Sequence, residues 1–243
     1  MVHQPGEMSH SRRDAASWGQ VTTQRPRALP WLLPVASVVA ASALIGALVA
    51  ALAGPLVGVA VAILGIVAVV AWVAIQPRLV LVRAGARPLR EGEHPRLVNV
   101  VGGAASDLGL KEPSIRVIEK GEPNALASYV GAPVVGISTS FLDALTRTEL
   151  EAVVAQTLLR TEPSIVRSYA VEAALGTLAG SLRRPVGQED DLRTCAVTRY
   201  PPALAAALAK ASPEAVPRAA FWFVGRDERH APPEERIEAL LDL

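Results

Sequence analysis

TRTELEAVVAQTLLRTEP, residues 146–163, is the stretch on which the fold turns. Thr146 and Glu149 have the spacing of a capping box, in which a hydroxyl and a carboxylate satisfy each other's free backbone N–H groups at a helix start. Leu150, Val153, Val154 and Leu158 then share one side of a helix, and Pro163 marks its end. Gln156, Thr157 and Arg160 follow in the second half of the same stretch.

Working outward, residues 94–109 set Leu97, Val100, Val101, Ala104, Ala105 and Leu108 at helical spacing, with Gly109 suited to the C-cap. SIRVIEK (114–120) alternates and PVVGIS (133–138) is β-branched, so two strands are predicted to flank GEPNALASYVGA (121–132). On the other side, residues 164–183 read as an amphipathic helix that Arg167 and Glu172 keep from being a third membrane span. QEDDLRTCAVTRY (188–200), an alanine-rich helix at 202–211 and a short helix after Pro233 complete the chain. Phe221, Trp222 and Phe223 are expected in the core or packed against the membrane-facing side, with an aromatic binding site as the alternative, and no internal repeat is present.

Upstream, residues 31–76 contain no charged side chain, about twice what one membrane crossing needs. Gly54 and Pro55 punctuate this run, giving spans of 31–53 and 56–76 joined by a very short turn. The predicted organisation is a disordered tail (1–27), a transmembrane hairpin (28–77), a juxtamembrane linker (78–93) and a domain (94–243). Arg12, Arg13, Arg25 and Arg27 precede the hairpin and Arg78, Arg83, Arg87 and Arg90 follow it, which predicts a multi-pass protein of the cell membrane with both termini cytoplasmic. The lipid bilayer is thus one partner, with anionic headgroups facing the basic flank.

Composition narrows the function classes. Half of the chain is hydrophobic (51%), and 24 basic residues balance 23 acidic ones, so no net field draws nucleic acid. The single cysteine, Cys195, rules out an internal disulfide framework and a cysteine zinc cluster and reads as a small core residue.

Taken in order, EHPRLVNVVGGAASDLGLKEPSIRV (93–117), PNALA (123–127) and GISTSFLDALTRTELEAVVAQ (136–156) resemble the HtpX-like membrane zinc metallopeptidases, the gluzincin family that also includes the CAAX prenyl proteases. The resemblance implies an α+β, mostly helical fold: two N-terminal transmembrane helices followed by a metallopeptidase-like domain with a small β-sheet. In that family the last run leads into Ala-His-Glu-x-x-His, whose two imidazoles bind zinc from one helix face while the glutamate takes a proton from the bound water. Here the three positions are Gln156, Thr157 and Arg160, in the sequence Gln156-Thr157-Leu158-Leu159-Arg160. An amide is a poor zinc ligand, a threonine is no base near neutral pH, and an arginine puts a permanent charge where the cation belongs.

None of His3, His10, His94 and His230 restores the pair. Aligning Asp191 with the aspartate of the family's Glu-x-x-x-Asp motif places Gly187 at the third ligand, with Glu189 nearby. Asn124, Asp191, His230 and Arg236 remain as a residual cleft: Asn124 leads to an edge strand where an extended substrate could pair, and His230 and Arg236 keep their six-residue spacing in HAPPEERI. Three of them have a plain structural alternative, with Asn124 forming a turn, His230 sitting in a partly exposed loop and Arg236 clamping the last helix. Arg160 is expected to fill the former metal position by pairing with Asp191, Glu189 or Glu162.

The expectation is therefore a membrane-anchored, catalytically inactive HtpX-like pseudopeptidase without a zinc cofactor, binding or regulating membrane proteins, peptides or an active relative. Two alternatives stay open: a zinc-dependent metalloendopeptidase with atypical ligands, and an assembly element acting through its hairpin, where Gly46, Ala47, Ala50, Ala51, Gly54 and Gly58 permit close helix contact.

Overall fold

The computed structural model describes residues 32–176, 187–212, 219–226 and 230–243. The predicted tail and the end of the helix expected to reach residue 183 lie outside them.

Helices α1 (Leu32–Ala53) and α2 (Pro55–Arg83) form the hairpin, and both are long and apolar enough to cross a membrane. One residue makes the turn. Gly54 has φ +96°, a conformation that a side chain disfavours, and Pro55 starts α2 where no N–H is needed. A Cβ on Gly46 would lie 2.6 Å from the Ala62 Cβ, and one on Gly58 would strike Ala50 and the Gly46 carbonyl. Three of the small residues suited to association between chains thus pack inside the hairpin, while Leu44, Leu52, Leu56 and Leu64 face outward.

This seam gives a direct test. A Cβ at position 65 would lie 3.3 Å from that of Ser42, close to disulfide geometry. The Ser42→Cys, Gly65→Cys pair is expected to oxidise within one chain. Cys195 is buried, with its thiol pushed up to about 12 by burial, and does not compete. Adding Gly58→Leu is expected to abolish the crosslink, as read by a gel shift; equally fast oxidation would show that the seam does not set the helix approach.

Past the membrane the structure departs from the expected linker. α2 continues through Pro77 to Arg83, and Val80 and Leu81 are buried with Ile118, Leu126, Val134, Ile165, Val166, Tyr169 and Phe221. The Pro77 carbonyl accepts from Ser128 Oγ at 2.9 Å, tying the helix to the sheet. The soluble core therefore begins at Val80, inside the segment read as a linker.

The sheet has four strands: β1 (Arg87–Pro88), β2 (Ser114–Ile118), β3 (Ala125–Tyr129) and β4 (Pro133–Ser138), in the order β1-β2-β4-β3. β2 and β4 are parallel, and the other pairs are antiparallel. β3 lies within the segment that the sequence left between two strands. Its first four residues are all buried, which removes the alternating pattern that marks a half-exposed strand.

Helix α3 (Pro95–Asp107) buries Leu97, Val100, Val101 and Ala105, and Gly109, at φ +63°, ends it as expected. The short α4 (Thr139–Ala144) follows β4. The opening stretch forms α5 (Arg147–Leu159) with its capping box in place, and α6 (Pro163–Leu175), α7 (Gln188–Thr198), α8 (Pro201–Lys210) and α9 (Pro233–Leu241) complete the described helices. α5 is the central element, packing on α3, α7, α8 and the sheet. Phe221, Trp222 and Phe223 are buried, as is Cys195.

Glu149 does more than cap. Its carboxylate accepts the Thr146 N–H at 2.7 Å and the Lys210 ammonium at 2.8 and 2.6 Å, joining α5 to α8. Burial works to raise its pKa, but Lys210 and Thr146 outweigh it and hold it below the ordinary 4.5. A depressed carboxyl contributes stability above its unfolded pKa and loses it as pH falls through the folded one. Glu149→Gln is expected to cost about 1 kcal/mol at neutral pH, and the gap to the parent should close in acid. Parallel unfolding curves at every pH would contradict this.

Candidate functional site

The last turns of α5 carry the three polar side chains into the interior: Gln156 is 1% exposed, Thr157 3% and Arg160 2%. The chemistry of each is already committed. Thr157 Oγ1 donates back to the Val153 carbonyl at 2.7 Å, a bond open to hydroxyl residues inside helices. Gln156 Nε2 donates to Asp191 Oδ1, while its Oε1 is buried without a hydrogen-bond partner among the described residues.

Arg160 has the most contacts. Nη1 donates to the Trp222 carbonyl at 2.7 Å, Nη2 to the Ala220 carbonyl at 2.5 Å and Nε to the Tyr169 hydroxyl at 3.1 Å. Its Cζ lies 5.2 Å from the centre of the Tyr169 ring, within cation–π range. The carboxylate within ion-pair reach is Asp190, 3.6 Å from Nε. The expected partners were Asp191, Glu189 and Glu162, so the burial is as expected while the partner differs. Burial opposes the charge, but Tyr169 and Asp190 outweigh it and keep the guanidinium above its ordinary pKa.

Asp191 is engaged elsewhere. Arg236 on α9 donates to both of its oxygens at 2.7 Å, a bidentate pair in which neither residue is more than 2% exposed. A third nitrogen of Arg236 donates to the Phe223 carbonyl at 3.1 Å. Burial pushes the Asp191 carboxyl up, against the pull of Arg236. Gly187 sits at the N-cap of α7 with φ +127°, and a Cβ there would lie 3.1 Å from Arg236 Cδ and Nε. A side chain at position 187 would therefore meet the arginine that holds Asp191. Glu189, the other candidate carboxylate, is exposed.

Asn124 is fully buried and joins three segments. Its amide donates to Val224 O at 2.7 Å and Ser212 O at 3.2 Å, and its oxygen accepts from the Ala125 and Val224 N–H groups at 2.9 and 3.2 Å. Beside it, the outer edge of β3 is taken by the chain itself: Leu126 bridges to Trp222, and Phe223 N donates to Ala125 O at 2.7 Å. The edge expected to receive an extended substrate is filled along this stretch. His230 is buried against Gly225, where a Cβ would come within 2.7 Å of its Cε1.

The structure thus gathers Gln156, Gly187, Asp191 and Arg236 into one network, with Arg160 beside it. Sequence reasoning missed Asp190, Tyr169 and the carbonyls of Ala220 and Trp222, although Asp190 and Asp191 both follow the glycine that opens α7. A cleft of about 450 Å³ lies elsewhere, between α3, α5, α7 and α8, and is lined in part by Asn99, Asp107, Arg147, Glu151 and Tyr200.

Zinc needs several thiolate, imidazole or carboxylate donors converging on one point. Among the described residues no three His, Cys, Asp or Glu side chains do so. At these positions of α5 an amide, a back-bonded hydroxyl and a guanidinium are present instead, so the donor set does not fit the ion.

Comparison with known proteins finds similarity over part of the chain. The chain is 34% identical over 113 residues to a protease HtpX homolog of Acidiphilium cryptum, covering 46% of this chain and 38% of that protein. A protease HtpX homolog of Thermodesulfovibrio yellowstonii is 30% identical over 107 residues (43% and 37%), and one of Halobacterium salinarum 33% identical over 107 residues (41% and 35%). The matches therefore span less than two fifths of the length of these curated relatives. No family model and no solved structure matches the chain. Over the matched stretch this chain, with two helices fit to cross a membrane and a mixed four-stranded sheet, is similar to protease HtpX homologs.

Proposed function

We propose that this protein is a membrane-anchored, catalytically inactive HtpX-like pseudopeptidase that acts as a binding or regulatory module for membrane proteins or peptides. The observation that carries the reading is Arg160. By the resemblance it stands at the second zinc imidazole, and its buried guanidinium is bonded to Ala220, Trp222 and Tyr169. Arg236 supports the same conclusion by filling the space beside Gly187 and holding Asp191. What remains is a scaffold in which two buried arginines occupy the polar interior, and a scaffold of that kind can still hold a partner. The arginines on both sides of the hairpin favour a multi-pass topology with the domain and both termini in the cytoplasm.

The test is metal content by mass spectrometry on the full chain purified without chelators, together with casein cleavage with and without added zinc. Absence of bound metal and of cleavage is the expected result. One tightly held zinc per chain with chelator-sensitive cleavage would overturn the proposal.

A further inference from the structure

α6 does not stay within the soluble domain. At its start, Ile165 and Val166 share a buried cluster with Ile118, Leu126 and Phe221. At its end, the Ala174 carbonyl accepts the Trp72 indole N–H of α2 at 3.2 Å. α6 therefore descends along α2, antiparallel to it, toward the membrane.

The depth of that contact follows from helix geometry. Pro55 to Trp72 spans about 27 Å at 1.5 Å per residue, close to the roughly 30 Å of a hydrocarbon core. With the Gly54 turn at one boundary, Trp72 reaches the other, where indole rings are favoured. Arg78 lies about 9 Å beyond Trp72, and Arg167 lies about 10 Å back along α6 from Ala174. Two arginines on different helices thus share one level, in the headgroup layer. Both are exposed, as is Arg83 further along α2, and none of the three has an ion pair or hydrogen bond among the described residues. Ala173, Ala174 and Leu175 are half-buried and apolar, suited to the boundary between water and lipid.

We propose that α6 is an interfacial helix and that Arg78 and Arg167 form a belt binding the anionic phospholipid headgroups of the membrane that holds the hairpin. Topology alone accounts for arginines flanking α2. It does not account for a cationic side chain on α6, 89 positions further along the chain, at the same depth as Arg78.

The experiment reconstitutes the full chain in phosphatidylcholine vesicles and measures the association of spin-labelled phosphatidylglycerol against spin-labelled phosphatidylcholine. A preference for the anionic lipid is expected. Arg167→Gln should weaken it by about five-fold, as should Arg78→Gln, and salt should weaken it further. Both residues are exposed, so unchanged thermal unfolding serves as the folding control. No preference in the parent, or a preference that Arg167→Gln leaves intact while Arg78→Gln reduces it, would overturn the proposal. A preference that inorganic phosphate displaces would identify a free-anion site and also overturn it.

Discussion

Replacing Asp191 with alanine is expected to destabilise the soluble domain by about 3–5 kcal/mol. Arg236 is 1% exposed, and its two strongest partners are the Asp191 oxygens. Removing the carboxylate leaves a guanidinium in the core with the Phe223 carbonyl as its remaining acceptor. Gln156 loses its acceptor in the same step, while its own Oε1 is already without a partner. Chemical denaturation in detergent, followed by circular dichroism, reads the cost. The double variant Asp191→Leu, Arg236→Met removes both charges and should recover most of the loss, because exchanging a buried ion pair for apolar volume is often neutral. A single-variant cost under about 1 kcal/mol would mean that water reaches the pair.

Arg160→Met is expected to cost about 3 kcal/mol. Methionine keeps the apolar stem and removes every donor, so the carbonyls of Ala220 and Trp222 and the Tyr169 hydroxyl lose a buried partner together. The loss should be read around the 219–223 segment, as faster hydrogen exchange there and in β3, whose Ala125 carbonyl accepts from Phe223 N. The pair Gln156→His, Arg160→His is expected to lose the same stability without gaining tight zinc. By the resemblance position 187 would supply the third ligand, and Arg236 leaves no room for a side chain there. Stoichiometric zinc in that variant would contradict this account of position 187.

The legible parts of the fold were those written in neighbouring residues. The capping box of α5, the Gly54–Pro55 turn and the glycine ending α3 each need only a few consecutive positions, and each stands where the sequence puts it. β3 was not legible, because with both faces buried it carries small and apolar residues without alternation. The continuation of α2 was obscured by Pro77 and the arginines after it, which read as a boundary although Leu79, Val80, Leu81 and Val82 keep an apolar helix going.

The site divided in the same way. The placing of Arg160 at the former metal position came from the family resemblance, but its partners are backbone carbonyls some 60 residues downstream, which carry no signature in sequence. The choice between Asp190 and Asp191 depends on the rotation of α7, and adjacent residues on a helix face directions about 100° apart. Arg236 took the second of them from 45 positions away, a pairing that no local pattern announces.

The entry of α2 into the soluble core gives the bilayer mechanical access to the domain. Val80 and Leu81 are packed beneath the sheet, and Ser128 donates to the Pro77 carbonyl, so the helix that leaves the membrane is itself part of the core of the domain. A helix whose apolar length exceeds the local hydrocarbon thickness tilts to fit. In this protein the tilting helix is the one whose end lies in the core, so bilayer thickness becomes a mechanical input to the sheet packed on it.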